Sequence, residues 1–267
     1  MVVMAEFQKR YNPNRSADWN YGGEKWKLSR SKIDLFIECP RCFYLDNKLG
    51  TKRPQGPAFT INVAVDTLFK KEFDVCRVEK KKHPIMEQYG VDAVPFVHAN
   101  MDLWRDNFEG VQHVHPSTGM IVSGAVDDIW VDSSGKLIVV DYKATSKEGT
   151  IESLSDSSWE DQYRRQIGVY QWLLMQNGFD VLPVGYFVYA NARFDKEAFD
   201  NQLEFEVTLV PCEGSLEWIE PTLGKIKECL DSDSIPPTGE RCEYCPYREA
   251  SGKKLQALHA NALKNKK

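Results

Sequence analysis

Two β-branched segments joined by a short turn constrain this chain more than any other feature of its sequence. Residues 119–131 (GMIVSGAVDDIWV) and 136–143 (KLIVVDYK) are rich in Val and Ile, and the linking Asp132-Ser-Ser-Gly135 places a glycine where a left-handed backbone is needed. The pattern predicts a β-hairpin. In a three-residue loop with Gly135 in the left-handed conformation, Asp132 pairs with Lys136, and this pairing sets the register of both strands.

The predicted register brings charged side chains together. Asp127 falls opposite Asp141, and Lys143 projects from the same face because side chains alternate along a strand. Opposed carboxylates ~4.5–5.5 Å apart repel each other unless a cation lies between them. Since Mg²⁺ prefers carboxylates together with water and phosphate oxygens, the pattern indicates a metal site for phosphate chemistry. The alternative is an ordinary cross-strand salt bridge with a solvated acid at the edge.

Helical periodicity surrounds the hairpin. The predicted elements are a helix starting at a Ser31-Lys-Ile-Asp34 capping box, an amphipathic helix over 60–75, a helix from Trp159 to a stop at Gly178, strands over 182–191 and 202–210, and a helix over 215–230. The stretch over 76–110 has no clear period. Helices on either side of a sheet predict a mixed α/β domain.

The chain length of 267 residues suits one domain with insertions. We expect an irregular arm over 1–27, the domain over 28–248 and a basic tail over 249–267. The net charge of −5 argues against a protein that coats nucleic acid through bulk charge, but it allows a local basic groove. No apolar run approaches ~20 residues and the first residues lack a signal-peptide pattern, so we expect no membrane contact and a cytoplasmic location.

Four short motifs follow one another along the chain. They are Ser29–Leu49 (SRSKIDLFIECPRCFYLDNKL), Gly124-Ala-Val-Asp127, Asp141-Tyr-Lys143 and Gln166-Ile-Gly-Val-Tyr170. In order and spacing they resemble the opening helix, Gly-x-x-Asp, Asp-x-Lys and Gln-x-x-x-Tyr motifs of the RecB-type branch of the PD-(D/E)XK nuclease superfamily. The resemblance implies a restriction-endonuclease-like core, with a mixed β-sheet flanked by helices and a Cys-rich staple near the C-terminus.

The same resemblance implies roles for individual residues. The expected ligands of Mg²⁺ or Mn²⁺ are Asp127, Asp141 and the carbonyl of Tyr142. Lys143 would be the catalytic lysine, supported by Gln166 and Tyr170. The branch usually has a metal-ligating His on the helix after the opening motif, and the best aligned position here is Asp66. Its carboxylate also suits a hard cation, although a solvent-facing helix residue is an equal alternative.

Two Cys-x-x-Cys pairs form a second candidate site. Cys39, Cys42, Cys242 and Cys245 supply a complete thiolate set for a [4Fe-4S] iron–sulfur cluster or Zn²⁺, and would tie distant segments together. Iron–sulfur members of the family, among them CRISPR-adaptation and AddB-type nucleases, are similar. They typically have one early and three late cysteines, whereas this chain has two and two. This departure leaves the choice between cluster and zinc open.

The motifs together predict a divalent-metal-dependent DNA nuclease, exonuclease-like and acting on single strands or duplex ends, in DNA repair, recombination or CRISPR-type processing. Basic pairs such as Lys70-Lys71 and Arg164-Arg165 suit contact with single-stranded DNA. Because no helicase motif is present, a helicase or other DNA-processing protein is an expected partner. One alternative is a catalytically silent nucleic-acid-binding subunit of a larger complex, and another is an interaction scaffold with incidental cysteines.

Overall fold

The structure, a computed structural model, describes residues 15–54, 56, 59–155 and 157–264. Parts of the expected arm (1–14) and tail (265–267) lie outside the described residues. The described chain forms two compact units. The first, here called the N/C unit, comprises 15–56 and 222–264, and the second, the sheet unit, comprises 59–221. The expected domain boundaries at 28 and 248 stay predictions.

Eight α-helices and eight strands are present in the described part of the chain. The helices are α1 (Arg30–Glu38), α2 (Pro40–Asn47), α3 (Thr60–Glu79), α4 (Pro84–Gln88), α5 (Met101–Arg105), α6 (Ser158–Gln176), α7 (Ile219–Asp231) and α8 (Tyr244–Lys264). The strands are β1 (Leu28–Ser29), β2 (Ala93–Pro95), β3 (Val111–Val114), β4 (Ile121–Gly124), β5 (Asp128–Asp132), β6 (Leu137–Thr145), β7 (Val184–Ala192) and β8 (Phe205–Glu213). No described helix has both the length and the apolar character needed to cross a membrane.

Five strands form the main sheet of the sheet unit, in the order β2-β5-β6-β7-β8. All neighbouring strands are antiparallel except β6 and β7, which run parallel with Asp141 beside Phe187. A parallel pair needs a crossover connection, and α6 supplies it between these two strands. The mixed sheet flanked by helices that the sequence predicts is therefore confirmed.

Helix α3 covers one face of this sheet. Phe73 stacks on Trp130 with 5.5 Å between ring centroids, and it lies at the same distance from Tyr142. The apolar stripe of α3 is narrower than the sequence predicts, because Ile61 and Leu68 are exposed. The helix also continues to residue 79, four residues past its predicted end.

Helix α6 covers the opposite face. Its Ile167 packs so closely against Gly185 that a Cβ there would lie 2.8 Å from the isoleucine Cγ2. One residue earlier, Gln166 reaches Asp141 of β6. Since side chains alternate along a strand, β6 directs Asp141 and Lys143 towards α6 and the residues between and beside them towards α3.

The predicted continuous strand over 119–131 is wrong. It is two strands, because β4 pairs with β3 whereas β5 pairs with β2 and β6. Residues 125–127 form the break at which the chain changes partners. Asp127 therefore lies just before β5 instead of within a ladder.

The N/C unit contains the opening helices and the last helix. The predicted capping box at Ser31 is wrong, because α1 begins at Arg30 after Ser29 and no side chain caps it. Pro40 separates the helices as expected and is the first residue of α2, a position where the missing N–H costs nothing. Helix α8 continues to Lys264, so the region expected to be a basic tail is helical through that residue.

Candidate active site

The turn between β5 and β6 has the predicted form. The N–H of Asp132 donates to the carbonyl of Lys136 at 3.0 Å, and Gly135 has a φ of +86°. The carboxylate of Asp132 also accepts the N–H of Ser134 at 2.9 Å. These contacts confirm the three-residue loop.

This turn determines where the two central acids lie. The β5–β6 ladder ends where Asp128 pairs with Val140, one position before Asp127 and Asp141. The two acids lie close enough that Asp127 raises the pKa of Asp141. Asp127 Oδ2 accepts the N–H of Tyr142 at 3.0 Å. The carbonyl of Tyr142, an expected metal ligand, belongs to the same strand, and its role stays a prediction.

Asp141 lies in an environment that disfavours its charge. The residue is only 1% exposed. Burial raises the pKa of its carboxyl group, Lys143 counteracts this, and the neighbouring Asp127 adds to the rise. A buried carboxylate next to a second one gains most from an additional cation, because the cation offsets both burial and repulsion.

Lys143 is held at three points. Its Nζ forms an ion pair with Asp141, donates to Gln166 Oε1 at 3.1 Å and lies 4.5 Å from the centre of the Tyr163 ring. Burial alone would lower the pKa of Lys143, but the Asp141 carboxylate raises it above its ordinary value. The lysine is therefore a fixed positive charge beside the two acids.

The Gln-x-x-x-Tyr motif joins the acid and the lysine. Gln166 Nε2 donates to Asp141 Oδ1 at 2.5 Å and to the Tyr170 hydroxyl at 3.2 Å, while its Oε1 accepts from Lys143. The ring of Tyr170 in turn lies over Gly124, where a Cβ would come within 2.7 Å of it. The Gly-x-x-Asp and Gln-x-x-x-Tyr motifs are thus in direct contact, because Gly124 leaves room for the Tyr170 ring.

Asp66 of α3 also lies at this site. Lys70, one turn further along α3, bridges Asp66 Oδ2 at 2.9 Å and Asp127 Oδ1 at 3.2 Å. Burial raises the pKa of Asp66, and the charge of Asp127 adds to the rise. The structure thus supports a place for Asp66 near the acids over the solvent-facing alternative. Lys70 was expected at a DNA-contacting surface, although its i+4 spacing from Asp66 indicates this ion pair.

Two arginines that no sequence motif indicates stabilise Asp128, the acid next to Asp127. Arg77 and Arg105 both pair with the fully buried Asp128. Arg105 Nε also donates to the Asp127 carbonyl at 2.9 Å, and the Tyr142 hydroxyl donates to Asp128 Oδ2 at 2.7 Å. This network fixes the backbone that carries the Asp127 carboxylate.

The donor set of the site suits a hard divalent cation. Asp127 influences the pKa of both Asp66 and Asp141, and the Lys70 ammonium occupies a cation position between two of the three acids. The three carboxylates do not by themselves fill the ligand shell of a metal ion. Among the described His, Cys, Asp and Glu side chains, only the four cysteines bring three or more donor atoms within 4.8 Å of one another. Mg²⁺ or Mn²⁺ here would complete its shell with water and substrate oxygens.

The four predicted cysteines meet in the N/C unit. The Sγ–Sγ distances are 3.7 Å for Cys39–Cys245 and 3.6 Å for both Cys42–Cys242 and Cys42–Cys245. All four side chains are buried and none forms a disulfide. The structure therefore brings both Cys-x-x-Cys pairs to one candidate metal centre.

Donor groups surround these sulfur atoms. Arg248 donates to Cys245 Sγ at 3.2 Å, Arg53 donates to Cys242 Sγ at 3.4 Å, and the Gly239 N–H donates to Cys39 Sγ at 3.2 Å. Burial disfavours a thiolate at Cys39, but this N–H and a second one lower the pKa of Cys39 below its ordinary value. Such donors stabilise the negative charge of metal-bound thiolates.

Comparison with known proteins identifies the family. The family model of the PD-(D/E)XK nuclease superfamily matches residues 65–250. This chain belongs to the PD-(D/E)XK nuclease superfamily. Among solved structures, that of SSO0001 aligns over 79% of this chain and 79% of its own, with 13% identity and a TM-score of 0.32. A comparison with curated proteins found no match. Members of the PD-(D/E)XK superfamily are generally metal-dependent nucleases, and the match covers every residue of the carboxylate site.

Proposed function

We propose that this protein is a divalent-metal-dependent nuclease that hydrolyses phosphodiester bonds in DNA. The observation that carries the proposal is the placement of Asp127 and Asp141 close together at the end of the β5–β6 ladder, with Lys143 paired to Asp141. An incidental salt bridge would not need Gln166 to hold the acid and the lysine together. The arrangement supports activity over a catalytically silent binding subunit.

Each side chain has a role in this proposal. Asp66, Asp127, Asp141 and the Tyr142 carbonyl would hold Mg²⁺ or Mn²⁺, which would polarise the phosphoryl group and lower the pKa of bound water. Lys143 would offset the negative charge that develops on the phosphate or orient the attacking water. Gln166 and Tyr170 fix the orientations of Asp141 and Lys143.

Cleavage assays with labelled DNA test this proposal. We expect the wild-type protein to cleave single-stranded or duplex oligonucleotides with Mg²⁺ or Mn²⁺ and not with EDTA. Asp141→Asn and Lys143→Met should each lower the rate by at least a hundredfold, because each removes charge at the reacting phosphate. Asp102→Asn, an exposed acid on α5 of the same unit, serves as the matched control and should leave the rate unchanged.

Two results would contradict the assignment. Wild-type rates in both site variants would show that neither Asp141 nor Lys143 takes part in catalysis. Tight metal-dependent DNA binding without any cleavage would instead favour the silent nucleic-acid-binding subunit.

The motifs that resemble the RecB-type branch further support an exonuclease-like action at single strands or ends, in repair, recombination or CRISPR-type processing beside a helicase or similar partner. Product ladders from 5′- and 3′-labelled strands distinguish exonucleolytic from internal cleavage.

The four cysteines support a second proposal, namely one structural zinc ion. A tetrahedral Zn²⁺ with Zn–S bonds of ~2.3 Å places its sulfur ligands ~3.8 Å apart. In a [4Fe-4S] cluster each thiolate binds its own iron, so the sulfurs lie roughly 6 Å apart. Three of the six Sγ–Sγ separations are 3.6–3.7 Å and all six are within 4.8 Å, which is closer to the spacing around a single ion than to that around a cluster. These distances favour zinc over the cluster of the iron–sulfur relatives.

Metal analysis of anaerobically purified protein tests the choice. We expect one zinc per chain, no inorganic sulfide, and the visible bands of tetrahedral thiolate cobalt after Co²⁺ exchange. Cys42→Ser should lose the metal, whereas Cys76→Ser, which changes a buried cysteine outside the group, should keep it. Stoichiometric iron with sulfide would establish a cluster instead. Protein without either metal would contradict both assignments.

A further inference from the structure

A groove opens beside Lys143 in the sheet unit. Its volume is about 560 Å³, within the ~300–1,000 Å³ range of small-ligand sites. It lies at the C-terminal end of β6, where the start of α3, the side of α6 and the ends of β7 and β8 converge. Its apolar walls are formed by Phe59, Ile61, Tyr163, Tyr189, Leu203 and Phe205. Because Lys143 is part of the wall, the groove is continuous with the candidate active site.

The aromatic rings of the groove are available to a flat ligand. Phe59 is 74% exposed and lines the groove, so much of its ring is open to a ligand. Phe205 is partly buried and packs against the sheet core, so its ring is held in place. Tyr163 lies beneath the Lys143 ammonium. An exposed ring beside packed aromatic rings favours a planar ligand that stacks.

The polar groups of the groove suit an anion. The described lining residues include Lys143 and Lys147 and no Asp or Glu. Lys147 is half exposed and pairs with Glu160 at 2.9 Å. Tyr189 is 2% exposed, and its hydroxyl has no hydrogen-bond partner among the described residues. This hydroxyl is itself enclosed, so the polar contacts that the groove offers to an anionic strand come from the lysine ammonium groups.

We propose that this groove seats an unpaired nucleobase of single-stranded DNA, next to the phosphate that is hydrolysed. The inference rests on the proposed nuclease function and names the form of DNA that the site takes. Stacking on aromatic side chains requires a base with a free face, which a base inside a duplex does not offer. The groove therefore selects single strands, including frayed ends, over intact duplex.

Substitution of Phe59 tests the proposal without disturbing the core. Stacking of one base contributes enough that Phe59→Ala should lower kcat/KM on a single-stranded oligonucleotide about tenfold. Phe59→Trp should retain most of the activity, because it keeps a stacking face. Phe108→Ala is the matched control, since Phe108 is 71% exposed but does not line the groove, and it should have no effect.

Abasic substrates separate stacking from a general loss. A single abasic nucleotide moved along the strand should reduce wild-type cleavage about tenfold at one position relative to the cut. Phe59→Ala should be insensitive to the same replacement, because the stacking partner is already gone. Equal sensitivity of wild type and Phe59→Ala, or equal losses on single-stranded and duplex DNA, would overturn the groove assignment alone. No cleavage by wild type on any DNA would overturn the nuclease function instead.

Discussion

At the scale of single residues, the ion pair with Lys143 changes the effect on stability that the two acids predict. Opposed carboxylates by themselves predict that removing one relieves repulsion. In the structure, however, Asp141 is the carboxylate paired with a lysine whose side chain is 18% exposed. A buried charge that loses its partner is strongly destabilising. The effect of substituting Asp141 on stability is therefore set by the lysine as well as by the second acid.

We predict that Asp141→Asn lowers the free energy of unfolding by about 1–3 kcal/mol, because the Lys143 ammonium loses its direct ion pair. Adding Lys143→Met should recover part of this loss. Urea unfolding of the two single variants and the double variant measures the coupling. A single Asp141→Asn variant as stable as wild type would show that repulsion from Asp127 outweighs the ion pair.

The pH dependence of stability follows from the same pair. The folded-state pKa of Lys143 is raised by Asp141. A raised lysine pKa contributes stability that is complete below the ordinary pKa of about 10.4 and is lost as pH rises through the folded value. Wild-type stability should therefore fall above about pH 10 more steeply than that of Lys143→Met. Parallel curves for the two proteins would contradict this coupling.

Lys70 has a different place from Lys143, since it bridges two of the three acids that are proposed to hold the metal ion. Lys70→Met removes two ion pairs, each worth roughly 0.2–1 kcal/mol, with Asp66 and Asp127. We predict Mn²⁺ binding several-fold tighter than in wild type, because the ion no longer displaces an ammonium. Calorimetric Mn²⁺ titration measures this. Lys71→Met, the exposed neighbour on α3, is the control. Weaker binding in Lys70→Met would show that the lysine assists the metal.

At the scale of elements, the contact between Gly124 of β4 and Tyr170 of α6 connects a strand end to the candidate active site. Gly124→Ala would place a Cβ 2.7 Å from the tyrosine ring. We predict a loss of stability of about 1–3 kcal/mol, as overpacking gives, and a lower kcat because Tyr170 no longer holds Gln166. Thermal unfolding and single-turnover cleavage measure the two effects.

The control for this prediction is Gly224→Ala on α7, where nothing lies within 4 Å of the new Cβ. Alanine is a better helix former than glycine, so this change should hold or raise stability. Unchanged stability and cleavage in Gly124→Ala would mean that the tyrosine moves without cost. In that case the contact between the two motifs would have no part in orienting Gln166.

The β5–β6 hairpin shows which features local sequence determines. Its register follows from Gly135 and the three-residue turn, and that register brings Asp127, just before β5, close to Asp141. The break at residues 125–127 is not readable locally, because it arises when β4 and β5 pair with different strands. The position of Arg77 could not be predicted for the same reason. An arginine on a helix is usually solvated, and only the fold brings this one to the buried Asp128.

At the scale of the whole molecule, the two candidate metal centres lie in different units and use different donors. Thiolates select soft metals and carboxylates select hard ones, so the two sites should not compete. We predict that a zinc chelator increases hydrogen exchange in residues 30–47 and 236–264, while β5 and β6 keep their protection. Cys42→Ser should reproduce this pattern without chelator. Uniform exchange increases in both units would contradict a local structural role of the cysteines.

The separation of the two cysteine pairs in sequence has a consequence during protein synthesis. Cys42 and Cys242 are 200 positions apart, so the first pair is made roughly 10–40 s before its partners at ordinary translation rates. During that interval the nascent chain carries an incomplete thiol pair, which is open to oxidation or to capture of the wrong metal. Yield in a recombinant host should therefore depend on the thiol redox state and zinc supply of the cytosol while the chain is still on the ribosome.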